Sequence, residues 1–151
     1  MPQWASVDDV LDFAIAEEEG AVQFYTRLAA QVNNPAVRDA LKEFAQEERE
    51  HKEKLLAIKA GGRGFDSSTE KVADLKIGDY LVDVKPSPDM QYDDALVLAM
   101  KKEQAACKLY TDLAARADDE QVKAVLLALA QEESKHKLHF ETQYDDMLSE
   151  N

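Results

Sequence analysis

The sequence predicts an all-α fold, two helical hairpins related by a pseudo-two-fold and joined by a long crossover. Three observations carry that reading. The chain matches itself at an offset of 85, residues 14–52 over residues 99–137 without a gap, with 16 of 39 positions identical. Both copies repeat apolar residues at spacings of three and four, the period of an amphipathic helix. A stretch of about 30 residues, 61–90, separates the copies, holds four of the five glycines, all but Gly20, and shows no long helical period. Two copies are too few for a solenoid, and 151 residues suit one domain with the crossover inside it.

Each helix has its own start and stop signals. Ser6 with Asp9 three residues on is a weaker capping box, so the first helix begins there and ends near Val32. Asn34 and Pro35 supply an N-cap and an N1 proline for the second helix, which stops at Gly61 and Gly62. The third runs from about Gln91 to Ala117, and Asp118 and Asp119 cap the fourth. Turns this short make each pair antiparallel. A helix of 26 residues is roughly 40 Å long, so a long connection makes sense if it returns along the bundle. Leu75–Ile77 and Tyr80–Val82 are the candidates to pin it.

Composition narrows the function. With 31 acidic and 18 basic residues the net charge is −13. Such a surface repels nucleic acid and anionic lipid. No run has the length of a membrane span, and the first residues lack the pattern of a signal peptide, which leads us to expect a cytoplasmic protein. A single cysteine, Cys107, allows neither an internal disulfide nor a Cys-x-x-Cys metal site.

The stripes that face a core contain residues that a core does not want. Helix two reads Leu41, Phe44, Glu48, His51, Leu55, Ile58, and helix four reads Leu126, Leu129, Glu133, His136, Phe140. Helix one reads Leu11, Ala14, Glu18, Ala21, Tyr25, Leu28, and helix three reads Leu96, Ala99, Glu103, Ala106, Tyr110, Leu113. Glu18 lies about fifteen residues before its turn and Glu48 about fifteen after it, and Glu103 and Glu133 repeat the arrangement. The four glutamates and two histidines are therefore expected at one depth. Buried carboxylates cost several kcal/mol each unless paired or metal-bound, and no Lys or Arg lies on these stripes. Two divalent ions balance four carboxylates, whereas a satisfied polar core is the competing reading.

This is the ligand pattern of di-iron and di-manganese carboxylate bundles. Oxygen-rich ligation with one imidazole per ion suits iron, with manganese the alternative, better than a structural zinc. Glu18 and Glu103 are read as terminal ligands and Glu48 and Glu133 as bridges, with one ion each for His51 and His136. Tyr25 and Tyr110 are read as hydrogen-bond donors to ligand carboxylates, with plain core tyrosines as the alternative. Glu17, Glu19, Glu47 and Glu132 are read as surface acids, His139 as an exposed histidine and Cys107 as a small buried hydrophobe.

Glu18-x6-Tyr25, Glu48-x-x-His51, Glu103-x6-Tyr110 and Glu133-x-x-His136 resemble the erythrin domain of the rubrerythrin family, within the ferritin-like superfamily. The resemblance spans all four helices. It implies a ferritin-like four-helix bundle, a non-haem centre of two iron ions per chain and a homodimer. It also implies an oxidoreductase that reduces hydrogen peroxide, or dioxygen, in oxidative-stress defence or iron handling. Some relatives oxidise ferrous iron, which makes a ferroxidase-like, iron-sequestering module the alternative. Two departures stand out. The four cysteines of a rubredoxin domain are missing, so the electron donor is expected to be a separate, rubredoxin-like protein. The additional glutamate that many members carry one turn beyond the helix-three ligand is Ala106 here.

Overall fold

The computed structural model describes residues 6–61, 75–82 and 90–149, and all regular structure among them is helical. Helix α1 spans Val7–Gln31, α2 Pro35–Gly61, α3 Tyr92–Arg116 and α4 Glu120–Ser149, with a single 3-10 turn at Ile77–Tyr80. The chain divides into two compact units, one built on α1 and α2 and the other on the 3-10 turn, α3 and α4.

The predicted caps form. The Ser6 hydroxyl accepts from the Asp9 amide at 3.2 Å. Asn34 Oδ1 accepts from the amides of Ala36 and Val37, ahead of Pro35 at the first helical position. Asp119 Oδ1 accepts from Gln121 at 2.8 Å and Val122 at 3.1 Å. Each cap satisfies amides that the first turn leaves without a helical acceptor. Asp119→Ala is expected to cost about 1 kcal/mol, within the usual range of roughly 0.5–2. At 2–4 °C per kcal/mol, this lowers the thermal midpoint by about 2–4 °C in a calorimetric scan.

In the first unit α1 packs along α2. Glu19 meets Lys52 at 2.8 Å and Asp12 meets Lys59, rising numbers against falling ones, as antiparallel helices require. These pairs are partly exposed and contribute little; the apolar stripe does more. Leu11, Leu28, Leu41 and Leu55 are buried in it, each worth about 1.5–3 kcal/mol relative to exposure. Phe44 and Ile58, expected in the core, are only half-buried. They lie near the edge of the α2 stripe, where Ala45 takes the inner position.

In the second unit α3 packs along α4, and the 3-10 turn packs on α3. Leu75 and Tyr80 are buried as expected, whereas Leu81 is exposed. Tyr80 donates its hydroxyl to Asp112 Oδ2 at 2.7 Å. Lys108 donates to the same oxygen at 2.9 Å and lies 4.9 Å above the Tyr80 ring. Arg116 donates to the Asp112 carbonyl at 2.7 Å. Residues 62–74 and 83–89 of the crossover lie outside the described residues, as does Gly62 of the expected α2 stop.

This clasp has a pH signature. Burial acts to raise the Asp112 carboxyl, but hydrogen bonds from Tyr80 and Lys108 outweigh it and hold the group below its ordinary value. Burial pushes the Tyr80 hydroxyl up, and the Asp112 bond adds to that. A group depressed in the folded state contributes stability above its unfolded value, and that contribution is lost as the pH falls through the folded value. Denaturant unfolding between pH 3 and 6 is expected to show a shallower acid-side loss of stability in Asp112→Asn than in the parent chain. Equal acid slopes would contradict the clasp.

Candidate metal centre

In the first unit α1 contributes Glu18, and α2 contributes Glu48 and His51, which face the same way because residues three apart share a helix face. His51 Nδ1 stands 3.4 Å from Glu48 Oε1 and 3.6 Å from Glu18 Oε2. In the second unit α3 contributes Glu103, and α4 contributes Glu133 and His136. His136 Nδ1 stands 3.6 Å from Glu103 Oε2. One ligand atom from each of Glu18, Glu48 and His51 lies within 4.8 Å of the others, and the same holds for Glu103, Glu133 and His136.

All six side chains are 0–3 % exposed, and they are the only buried charged or titratable-imidazole residues among the described residues. No buried Lys or Arg therefore supplies positive charge among those residues. The facing nitrogen and oxygen atoms form no hydrogen bond with one another, although each residue has further contacts. Two ligands about 2.1 Å from a common ion, at roughly tetrahedral angles, lie about 3.4 Å apart. The spacing of His51 and His136 from their glutamates is close to this, so the donor set fits a cation in each unit. Oxygen-rich ligation with one imidazole suits iron or manganese.

Tyr25 and Tyr110, on the same stripes as Glu18 and Glu103, are buried. The Tyr25 ring lies 5.6 Å from that of Phe24 and meets Phe44 edge-on at 6.4 Å. Ala21 and Ala106 are half-buried.

The neighbouring residues are placed as follows. Glu17 is exposed, and Glu19, half-buried, is held by Lys52. Hydrogen bonding and charge from Lys52 keep the Glu19 carboxyl below its ordinary value. Glu47 and Glu132 are half-buried rather than fully solvated. Two readings are corrected. Cys107 is half-exposed instead of buried. His139 is half-buried instead of exposed, because its ring meets Phe140 edge-on at 5.9 Å and lies 2.8 Å from Gln143 Nε2. Burial, with His136 adding charge repulsion, lowers the His139 basicity.

Tyr92 donates to Gln143 Oε1 at 2.9 Å, completing a polar line that residue-by-residue reading of the stripes missed. Its signal was present in the repeat. Tyr92 and Gln143 stand where the first copy has Val7 and Ile58, so polar pairs replace apolar residues in one copy only.

Comparison with known proteins agrees with the geometry. Among solved structures, the chain is similar to a hypothetical protein from Pyrococcus furiosus, at 24 % identity and TM-score 0.70, over 93 % of this chain and 89 % of that one. It is also similar to a Thermotoga maritima protein assigned as ferritin-like and diiron-carboxylate, at 19 % identity and TM-score 0.76, over 97 % of this chain and 99 % of that one. The shared fold is the ferritin-like four-helix bundle. No curated protein matches the chain. No helix of the described residues is long and apolar enough to cross a membrane. The sequence profile of the rubrerythrin family matches residues 9–80 and 94–151, a span that includes all six Glu and His residues, and the chain belongs to that family.

Proposed function

We propose that the chain binds two iron ions and uses them to reduce hydrogen peroxide, or dioxygen, with electrons from a separate donor protein. The observation that carries this reading is the duplicated donor set, two carboxylates and an imidazole buried within 4.8 Å of one another in each unit. Membership of the rubrerythrin family supports it. Manganese is the alternative metal for the same ligands.

Glu18, Glu48 and His51 would hold one ion and Glu103, Glu133 and His136 the other, each imidazole through Nδ1. Four carboxylates supply the charge that balances two divalent ions. Iron held there would supply two electrons, which with two protons reduce hydrogen peroxide to two waters. Tyr25 and Tyr110 donate hydrogen bonds to ligand carboxylates and fix their orientation while charge changes at the centre. Burial keeps bulk water from the ligands. The sequence has one cysteine, Cys107, and the proposed donor is a separate, rubredoxin-like protein. The working form is proposed to be a homodimer in the cytoplasm.

Ala106 favours a second reading. It offers no carboxylate one turn beyond Glu103, and so a site that oxidises ferrous iron and holds it without sustained turnover is the alternative.

Anaerobic loading with Fe(II), iron counting and absorbance before and after stoichiometric peroxide separate the two. Two irons per chain and a near-ultraviolet ferric band that reductant erases and fresh peroxide restores are expected for the oxidoreductase. A band that forms once and cannot be recycled assigns iron sequestration, and absence of stoichiometric iron removes both readings.

A further inference from the structure

Beside the clasp that holds the 3-10 turn to α3 runs an open groove of about 420 Å³, within the range of roughly 300–1,000 Å³ typical of small-ligand sites. It is lined by Asp79, Leu81 and Val82 from the 3-10 turn and the residues after it, and by Lys101, Gln104, Ala105 and Lys108 from α3. Lys101, Gln104, Ala105 and Lys108 share one face of α3 because they are spaced by three, four and seven residues. Glu103 lies on the buried face of the same helix.

Three features distinguish this groove from ordinary surface. Leu81 is 47 % exposed at its wall, an apolar side chain with nothing described covering it. Lys101 has no ion-pair partner among the described residues, in a chain where acids outnumber bases 31 to 18. Lys108 is held in place by Asp112 and by the Tyr80 ring, so little of its freedom remains to be lost on binding. The first copy has no counterpart. Lys101, Gln104 and Lys108 correspond to Ala16, Glu19 and Gln23, so the first copy places no cation along this face.

We propose that this groove binds a small organic anion, its apolar body lying against Leu81, Val82 and Ala105 and its acidic head between Lys101 and Lys108. The two lysines lie roughly 10 Å apart along the helix, and the Gln104 amide between them donates to the same head. Asp79, opposite, disfavours a second acidic group on the ligand and sets the preference at a single charge. The site belongs to the outer face of α3, independent of the metal-binding reading.

The test is an amide-resolved NMR titration of the whole chain with naphthalene-2-sulfonate, using naphthalene-2-sulfonamide as the uncharged isostere. The expected result is shift changes confined to residues 79–82 and 101–108, with the sulfonate binding at least ten-fold more tightly than the sulfonamide. Lys101→Glu is expected to weaken the sulfonate at least ten-fold, and Ala105→Leu, which fills the groove with a good helix former, to abolish it. Circular dichroism and thermal midpoints within error of the parent establish that both variants are folded. Equal binding of the two probes, shift changes centred elsewhere, or variants that bind as the parent does would each overturn the proposal.

Discussion

Adding Fe(II) anaerobically to the metal-free chain is expected to raise its thermal midpoint by about 5–11 °C per ion. A ligand that binds only the folded state at about 100 times its dissociation constant adds about 2.7 kcal/mol, and a chain of this size gains roughly 2–4 °C for each kcal/mol. The driving force lies in the buried set. Glu18 and Glu48 in one unit, and Glu103 and Glu133 in the other, are held away from water with no buried Lys or Arg among the described residues. An incoming cation removes their mutual repulsion and takes the imidazole as a further ligand. Calorimetry with Fe(II), with Mg(II) at equal ionic strength and after chelation checks the expectation. A midpoint indifferent to Fe(II) would instead indicate a self-satisfied polar core.

The substitutions Glu48→Gln and Glu133→Gln are expected to act in opposite directions with and without metal. Two carboxylates within 4.8 Å repel by about 3 kcal/mol or more at an effective dielectric of about 20. Glutamine preserves shape and removes the charge, so the metal-free variants are expected to be more stable than the parent by on the order of 1–3 kcal/mol. The same variants lose a charged ligand, and the gain on adding Fe(II) falls to near zero with less than stoichiometric iron retained. Denaturant unfolding in chelator and in Fe(II) measures both halves. Destabilisation under both conditions would show that these carboxylates serve the fold through their own hydrogen bonds, and the metal assignment would fail.

Much of this was legible in the sequence because it rests on local chemistry. Ser6, Asn34 and Asp119 cap their helices through side chains two or three residues from the amides they satisfy. The Glu-x-x-His pairs are recognisable for a similar reason. Two residues three apart on a helix face the same way whatever the rest of the chain does, and the internal repeat shows the pattern twice. Burial of Glu18, Glu48, Glu103 and Glu133 followed from their place on apolar stripes.

Residues at stripe margins were harder to read. Phe44, His139 and Cys107 each sit near the boundary between core and solvent, and a shift of a few tens of degrees in helix rotation decides on which side they fall. Periodicity fixes which residues share a face but leaves the rotation of that face against its neighbour to packing. His139 shows the consequence, since Gln143 and Phe140 draw in a residue whose counterpart in the first copy is Lys54.

By itself the sequence determined the helices, their caps, the duplicated architecture and the six candidate ligands, because all of these depend on contacts or periods a few residues long. Only the tertiary structure decided that His51 and His136 meet Glu18 and Glu103 through Nδ1 at 3.6 Å, that Asp112 clasps Tyr80, and that a groove opens beside Lys101. Those features join residues tens of positions apart in the chain, and their geometry is set by side-chain packing between elements that no local pattern encodes.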